Sequence, residues 1–171
     1  MRKRVRVSIP NFVLEVLKKD IKYFDLSKDG ISNIIIQRLG FENNQCFHKK
    51  VLDKTTIWNF NLNDKNTELF DEMFKLSKET IESEFFRKVF STYVNLHPFL
   101  REKVLNTELF NVVENAIKSN HKLKIYYEKT LYDIYPIAFE RGNDLYTVLK
   151  AKKEGKEFLF EMRYIEVLKI S

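Results

Sequence analysis

The spacing of hydrophobic and polar positions changes period several times along the chain, and each change predicts an element. Over Lys3–Pro10, Val5, Val7 and Ile9 alternate with Arg4, Arg6 and Ser8. That period of 2 belongs to a half-buried strand. Directly after Pro10 the spacing becomes helical: Val13, Leu14, Leu17, Ile21 and Phe24 recur, with Glu15, Lys18, Lys19 and Lys22 between them. Asn11 is expected to cap this helix, which should end near Phe24-Asp25. Ser27 offers a second N-cap, Ile31, Ile34, Ile35 and Leu39 form the next apolar stripe, and Gly40 is expected to stop it. Gly30, in the first turn, lowers helix propensity and is expected to mark a close approach.

A lone strand is not stable in water, and no hairpin partner follows Pro10, so the expected partner is the same strand of a second copy. Strand, helix, turn and helix in about forty residues are too few to bury a core alone, which again points to association. The segment from Lys3 to about Gly40 resembles the ribbon-helix-helix family of DNA-binding proteins. The resemblance is carried by the Val5-Arg-Val-Ser-Ile-Pro10 strand, the Leu26-Ser27 turn and the second amphipathic helix. It implies an intertwined homodimer whose ribbon enters the major groove of duplex DNA, with Arg4, Arg6 and Ser8 of each chain outward. The second helix would aim its N-terminus, at Ser27 and Lys28, towards a phosphate. Lys3 completes the implied nucleic-acid-binding set. The competing expectation is a ribbon that only dimerises, with its arginines solvated.

Residues 41–66 are polar, with turn signals at Asn43-Asn44, Asn61 and Asn63-Asp64. Thr56–Leu62 alternates and predicts a short strand with Ile57, Phe60 or Leu62 inward. From Thr67 a helix runs through Leu69, Phe70, Met73, Phe74 and Leu76. A denser one follows, capped by Ser83, with Phe85, Phe86, Val89, Phe90, Tyr93 and Val94 on a broad face. Aromatics at that spacing are read as core. His97-Pro98 breaks the chain, Thr107 caps a last helix through Ile117, and Asn120 is a candidate left-handed end.

Beyond Lys122 the period returns to 2. Strands are expected over Lys122–Tyr127, Leu131–Phe139, Asp144–Lys152, Glu157–Met162 and Ile165–Ile170, with glycine turns at Arg141–Asp144 and Lys153–Lys156. Five short strands after a helix suggest a small barrel or strongly bent sheet. This part resembles the WYL family, through Ala116-Ile117, Asn120, Leu123–Tyr127, Tyr135-Pro136, the triplet Leu145-Tyr146-Thr147 and the closing segment Phe158–Ile165. The resemblance implies a five-stranded Sm-like β-barrel that senses nucleic acid or a nucleotide-like ligand. It makes Tyr127, Tyr146, Lys150 and Arg163 candidate ligand-binding residues: aromatics stack on bases and cations hold phosphate. A barrel core with surface lysines is the alternative.

The expected architecture is therefore α+β. It comprises a ribbon-helix-helix domain over 1–42, a mainly helical connector over 43–118 and a WYL-like barrel over 119–171. Proteins that join such domains include accessory proteins of type VI-D CRISPR systems, which the connector segment Ser83–Leu96 also resembles.

Composition narrows the chemistry. The 171 residues carry a net charge of +6, and the excess is local: nine Lys and Arg against four Asp and Glu lie in residues 1–40. A local basic excess is the footprint expected of an anionic partner, the alternative being a basic terminus that only aids solubility. The single cysteine, Cys46, cannot form an internal disulfide and suggests a reducing, cytoplasmic setting. No apolar run is long enough for a membrane span, and no signal-peptide core follows the basic start. His48, His97 and His121 lack metal-ligand spacing, the four glycines form no phosphate loop, and no nucleophile elbow is present. No catalytic residue, metal or cofactor is expected, and the chain is not expected to be an enzyme. The leading expectation is a dimeric DNA-binding transcriptional regulator. The alternative is a CRISPR accessory protein that binds single-stranded RNA and modulates an effector ribonuclease.

Overall fold

The computed structural model describes residues 2–42 and 53–171. The turn expected at Asn43-Asn44, and the residues Cys46 and His48, lie outside them. The chain divides into two compact units, Met1–His97 and Pro98–Ser171. Of the three helices expected over 43–118, two belong to the first unit and one to the second, where a further helix over Pro98–Leu105 precedes it.

In the first unit, β1 (Arg4–Pro10) leads into α1 (Asn11–Phe24) and α2 (Lys28–Leu39). Then β2 (Thr55–Asn61), α3 (Asp64–Ser77) and α4 (Glu82–Asn95) repeat the same order. Both strands have seven residues, and α1 and α3 both have 14. β1 pairs antiparallel with β2 from Arg4↔Asn61 to Pro10↔Thr55, with Val7↔Trp58 at the middle. The partner of the first strand is therefore in the same chain, which corrects the expectation of a second copy. The two-stranded ribbon and two helix pairs expected of an intertwined dimer are built here from two β-α-α repeats.

The pairing follows from apolar side chains on one ribbon face. Val5, Val7 and Ile9 from β1 and Trp58 and Phe60 from β2 are buried. α4 packs against β1 while α2 lies over β2, and α2 and α4 pack on each other. Each repeat's last helix therefore covers the other repeat's strand. The first repeat supplies mainly aliphatic side chains (Val13, Leu17, Ile31, Ile35, Ile36) and the second the rings of Phe70, Phe85, Phe86, Phe90 and Tyr93, all buried. Phe60 meets Phe86 and Phe90 edge-on at 5.6 and 5.7 Å, a favoured aromatic geometry. Trp58 Nε1 donates to Ser32 Oγ at 3.0 Å, tying β2 to α2.

The caps differ in part from expectation. Ser27 Oγ accepts from Gly30 N at 2.9 Å, as predicted. A Cβ on Gly30 would come within 3.0 Å of that oxygen, so the close approach is real. Asn11 is the first helical residue rather than a cap. The Phe12 N–H at that end is bonded by Asp53 Oδ2 at 2.9 Å, reaching back from just before β2. Ser83 does not cap α4, which begins at Glu82 without a side-chain cap. Gly40 ends α2 in right-handed geometry, and a Cβ there would clash with Met73 Sδ and the Ile36 carbonyl.

In the second unit, α5 (Pro98–Leu105) and α6 (Thr107–Ser119) precede β3 (Leu123–Tyr127), β4 (Thr130–Arg141), β5 (Thr147–Lys153), β6 (Lys156–Glu161) and β7 (Glu166–Ile170). Asn120 adopts the left-handed conformation at φ 53°, ending α6 as anticipated. The strands form one antiparallel sheet in the order β6-β5-β4-β3-β7. β4 bends at a bulge between Pro136 and Ala138, pairing with β3 before it and mainly with β5 after it. Such a bulge increases twist and lets one strand serve two partners. The sheet stays open: β6 and β7 are its two edges and do not pair, so the expected closed barrel is not formed. A single 3-10 turn at Met162–Tyr164 joins them instead. Phe110, Val113 and Ala116 of α6 share one buried core with Leu123, Ile125, Ile134, Leu149 and Phe160 of the sheet. The buried Glu102 carboxylate accepts the Thr147 N–H at 3.0 and 3.1 Å and its hydroxyl at 3.0 Å, fixing the start of β5.

Candidate nucleic-acid interface

Alternation in the ribbon decides which side chains face out. With Val5, Val7 and Ile9 buried, Arg4, Arg6 and Ser8 are exposed. Across the register stand Asn61 opposite Arg4, Asn59 opposite Arg6 and Ile57 opposite Ser8. Of Ile57, Phe60 and Leu62, the residues expected inward, Phe60 and Leu62 are buried along with Trp58, whereas Ile57 is 43% exposed. Neither Arg4 nor Arg6 has an ion-pair partner among the described residues. Arg4, Asp29, Asn59 and Asn61 border one shallow surface hollow. Asp29 there accepts from Asn61 N at 3.0 Å and Asn61 Nδ2 at 3.1 Å, so Asn61 is held while Asn59 is free among the described residues.

The other residues of the N-terminal set are engaged within the unit. Lys3 Nζ lies 2.6 Å from Glu82 Oε1 and 3.9 Å from the centre of the Phe70 ring. Lys28 Nζ sits 4.4 Å over the Trp58 ring, and the Ser27 hydroxyl is occupied by the Gly30 N–H. The structure thus places Arg4, Arg6 and Ser8 on one open face and Ser27 and Lys28 at the N-terminal end of α2. Lys3 is drawn to α4.

The four residues implied for the second unit are not brought to one place. Tyr127 closes a ring cluster with Phe160 at 5.1 Å, Tyr164 at 6.3 Å and Tyr132 at 6.4 Å. Its hydroxyl accepts from Glu161 N at 3.3 Å. Burial pushes the phenol's pKa up from its ordinary 10.0. Arg163 joins this corner, with Nε 2.8 Å from Glu161 Oε2 and its guanidinium 4.6 Å over Tyr164. Lys150 lies elsewhere, 3.0 Å from Glu157 and 3.4 Å from Glu140. The bond to Glu157, with the charge of Glu140, raises its pKa. Tyr146 is buried at 6% exposure and presents no ring face to solvent.

Side-chain parity puts other residues on the outer face of this sheet. Leu123 and Ile125 are buried, so Lys124 and Tyr126, rather than Tyr127, stand on the outer face of β3. Tyr126 is 39% exposed and Tyr135 49%, with Lys152 directly across from Tyr135 on β5. The alternation of Lys122–Tyr127 already contained this signal, as the strand over Thr56–Leu62 did for Asn59 and Asn61. Among the described residues no group of His, Cys, Asp or Glu side chains is arranged to hold a metal ion, and no helix is long and apolar enough to cross a membrane.

The sequence matches no protein-family model and no curated protein. Among solved structures the chain is similar to a crystal structure described as that of a CRISPR Cas-related protein, with a TM-score of 0.63 and 12% identity. The match covers 100% of this chain and 63% of that one. At this identity the likeness defines a shared α+β fold. This chain spans less than two thirds of that protein's length.

Proposed function

We propose that this protein binds nucleic acid through the outer face of the β1–β2 ribbon and acts as a DNA-binding transcriptional regulator. One observation carries the reading: Arg4 and Arg6 are exposed, side by side on one strand, and without an ion-pair partner among the described residues. A two-stranded ribbon fits the major groove, where an arginine can bond guanine O6 and N7 together. Ribbon formation no longer calls for a second copy, because β2 supplies the partner strand.

A second reading is favoured by a different face. Tyr126, Tyr135, Lys124 and Lys152 line the outer side of the second unit's sheet, and exposed aromatics beside lysines suit stacked single-stranded bases. On this reading the chain is an accessory protein that binds single-stranded RNA and modulates an effector ribonuclease; the one link to such systems is the shared fold with a protein described as CRISPR Cas-related.

A salt-titrated binding comparison separates the two. Duplex DNA, single-stranded DNA and RNA are titrated with the full chain, with Arg4→Ala/Arg6→Ala and with Tyr126→Ala/Tyr135→Ala. The regulator reading expects duplex affinity to fall in the first variant and to survive in the second. The accessory reading expects single-strand affinity to show the reverse pattern. Absence of duplex binding at low salt, where phosphate contacts are strongest, would end the regulator reading.

A further inference from the structure

The two repeats share their element order but not their outward chemistry. About the middle pair Val7↔Trp58, each β1 position has a counterpart at the same place in β2. Arg4 corresponds to Thr55, Arg6 to Ile57 and Ser8 to Asn59. A ribbon made from two copies of one strand would repeat its arginines at both ends. This one gathers Arg4, Arg6, Asn59 and Asn61 at one end and leaves Ser8, Ile57 and Thr55 at the other.

We propose that the chain reads a single non-palindromic duplex site, with Arg4, Arg6 and Asn59 as its base-reading side chains; the inference rests on the ribbon reading above. Arg4 and Arg6 lie two residues apart on β1, about 6.8 Å at about 3.4 Å per residue in an antiparallel strand, close to two base-pair steps. Arginine matches the two acceptors of guanine, and asparagine the acceptor and donor of adenine. Asn59 stands directly across from Arg6 with its amide free among the described residues, so guanine and adenine are read side by side. Asn61 is held by Asp29 and acts as a positioning residue: it fixes the acidic group at the edge of the arginine end. Ile57 at the opposite end offers only apolar contact, which suits a thymine methyl.

The test is selection of bound sites from randomised duplexes by the full-length protein, followed by affinity measurement on the enriched site. The enriched site is expected to lack a two-fold axis. Arg6→Ala should weaken it roughly 5- to 150-fold and relax choice at one base pair. Asn59→Ala should relax a neighbouring pair. Ile57→Arg, at an exposed position, should restore the missing arginine and shift the enriched sites towards a palindrome, with an unchanged far-ultraviolet spectrum showing that it folds. Palindromic wild-type sites, or an Arg6→Ala loss equal on every duplex, would overturn the asymmetric reader while leaving duplex binding intact. No duplex binding at low salt would overturn the underlying reading as well.

Discussion

The bond from Trp58 Nε1 to Ser32 Oγ joins the second repeat's strand to the first repeat's helix, so it tests whether the repeats are intertwined. Ser32 is fully buried and Trp58 is 2% exposed, with the donor and acceptor 3.0 Å apart. Ser32→Ala leaves the indole N–H without a partner in a dry site, at a cost of about 1–3 kcal/mol. Trp58→Phe removes the donor and part of the ring, and should cost less than the ~3–5 kcal/mol of a full truncation to alanine. In the double variant neither polar group remains, so the loss should fall short of the sum of the single losses by about 1 kcal/mol or more. Guanidinium unfolding followed by far-ultraviolet circular dichroism measures all four proteins. In those that keep Trp58, the emission of this single tryptophan identifies the first unit's own transition. Losses that add to within about 0.5 kcal/mol would show that the two groups do not interact, and the crossing of the repeats would lose its central tie.

Other consequences are more direct. Hundredfold dilution is expected to leave Trp58 emission unchanged, because both ribbon strands and all four helices come from one chain; exposure of Trp58 on dilution would refute this. Gly40→Ala should destabilise the first unit by roughly 1–3 kcal/mol, since the added Cβ meets Met73 Sδ and backbone at Ile36; an unchanged denaturation midpoint would contradict that packing. Glu102→Ala should cost about 2–4 kcal/mol through the orphaned Thr147 groups, and Glu102→Gln less, as read by thermal unfolding. Tyr127 has a folded pKa raised by burial, so the folded state holds its proton longer than the unfolded chain does. Stability should therefore fall as pH rises from about 10.0 through the folded value, and Tyr127→Phe should remove that part of the alkaline loss in an unfolding series.

Local elements were largely legible in the sequence because their causes are local. Period 2 at Lys3–Pro10 and the Ser27 cap depend on neighbours a few residues away, and both are present as expected. The partner of β1 was not legible. Pairing Val7 with Trp58 joins residues far apart in sequence, and periodicity says nothing about register between distant strands. The weak alternation of Thr56–Leu62 also obscures parity, since apolar residues stand at 57, 58, 60 and 62 and so fall on both faces of the strand. Barrel closure failed for a similar reason. The strand pattern fixes five strands but not whether the two edges meet, and a helical turn at Met162–Tyr164 intervenes here. At the candidate ligand residues, resemblance favoured Tyr127 where side-chain alternation favours Tyr126.

The two β-α-α repeats also differ in charge at the N-terminal ends of their last helices. Free N–H groups and the helix dipole make each such end a possible anion site. α2 begins with the Ser27 cap and Lys28, although Asp29 already places a carboxylate in its first turn. α4 begins with Glu82 and Glu84 in its first turn, and Glu82 is paired with Lys3. A phosphate at the second end would have to displace that pair and face two carboxylates. In a true two-fold dimer the two ends would be identical, and any change that blocked one would block both. With both repeats in one chain that constraint does not apply: the first repeat carries its arginines outward, while the second has its helix end paired internally and an aromatic core. The asymmetry of the outer face and that of the helix ends point the same way: both outward arginines belong to the first repeat, and on the reading proposed above the second repeat adds Asn59 to the ribbon besides the strand and helices that hold it in shape.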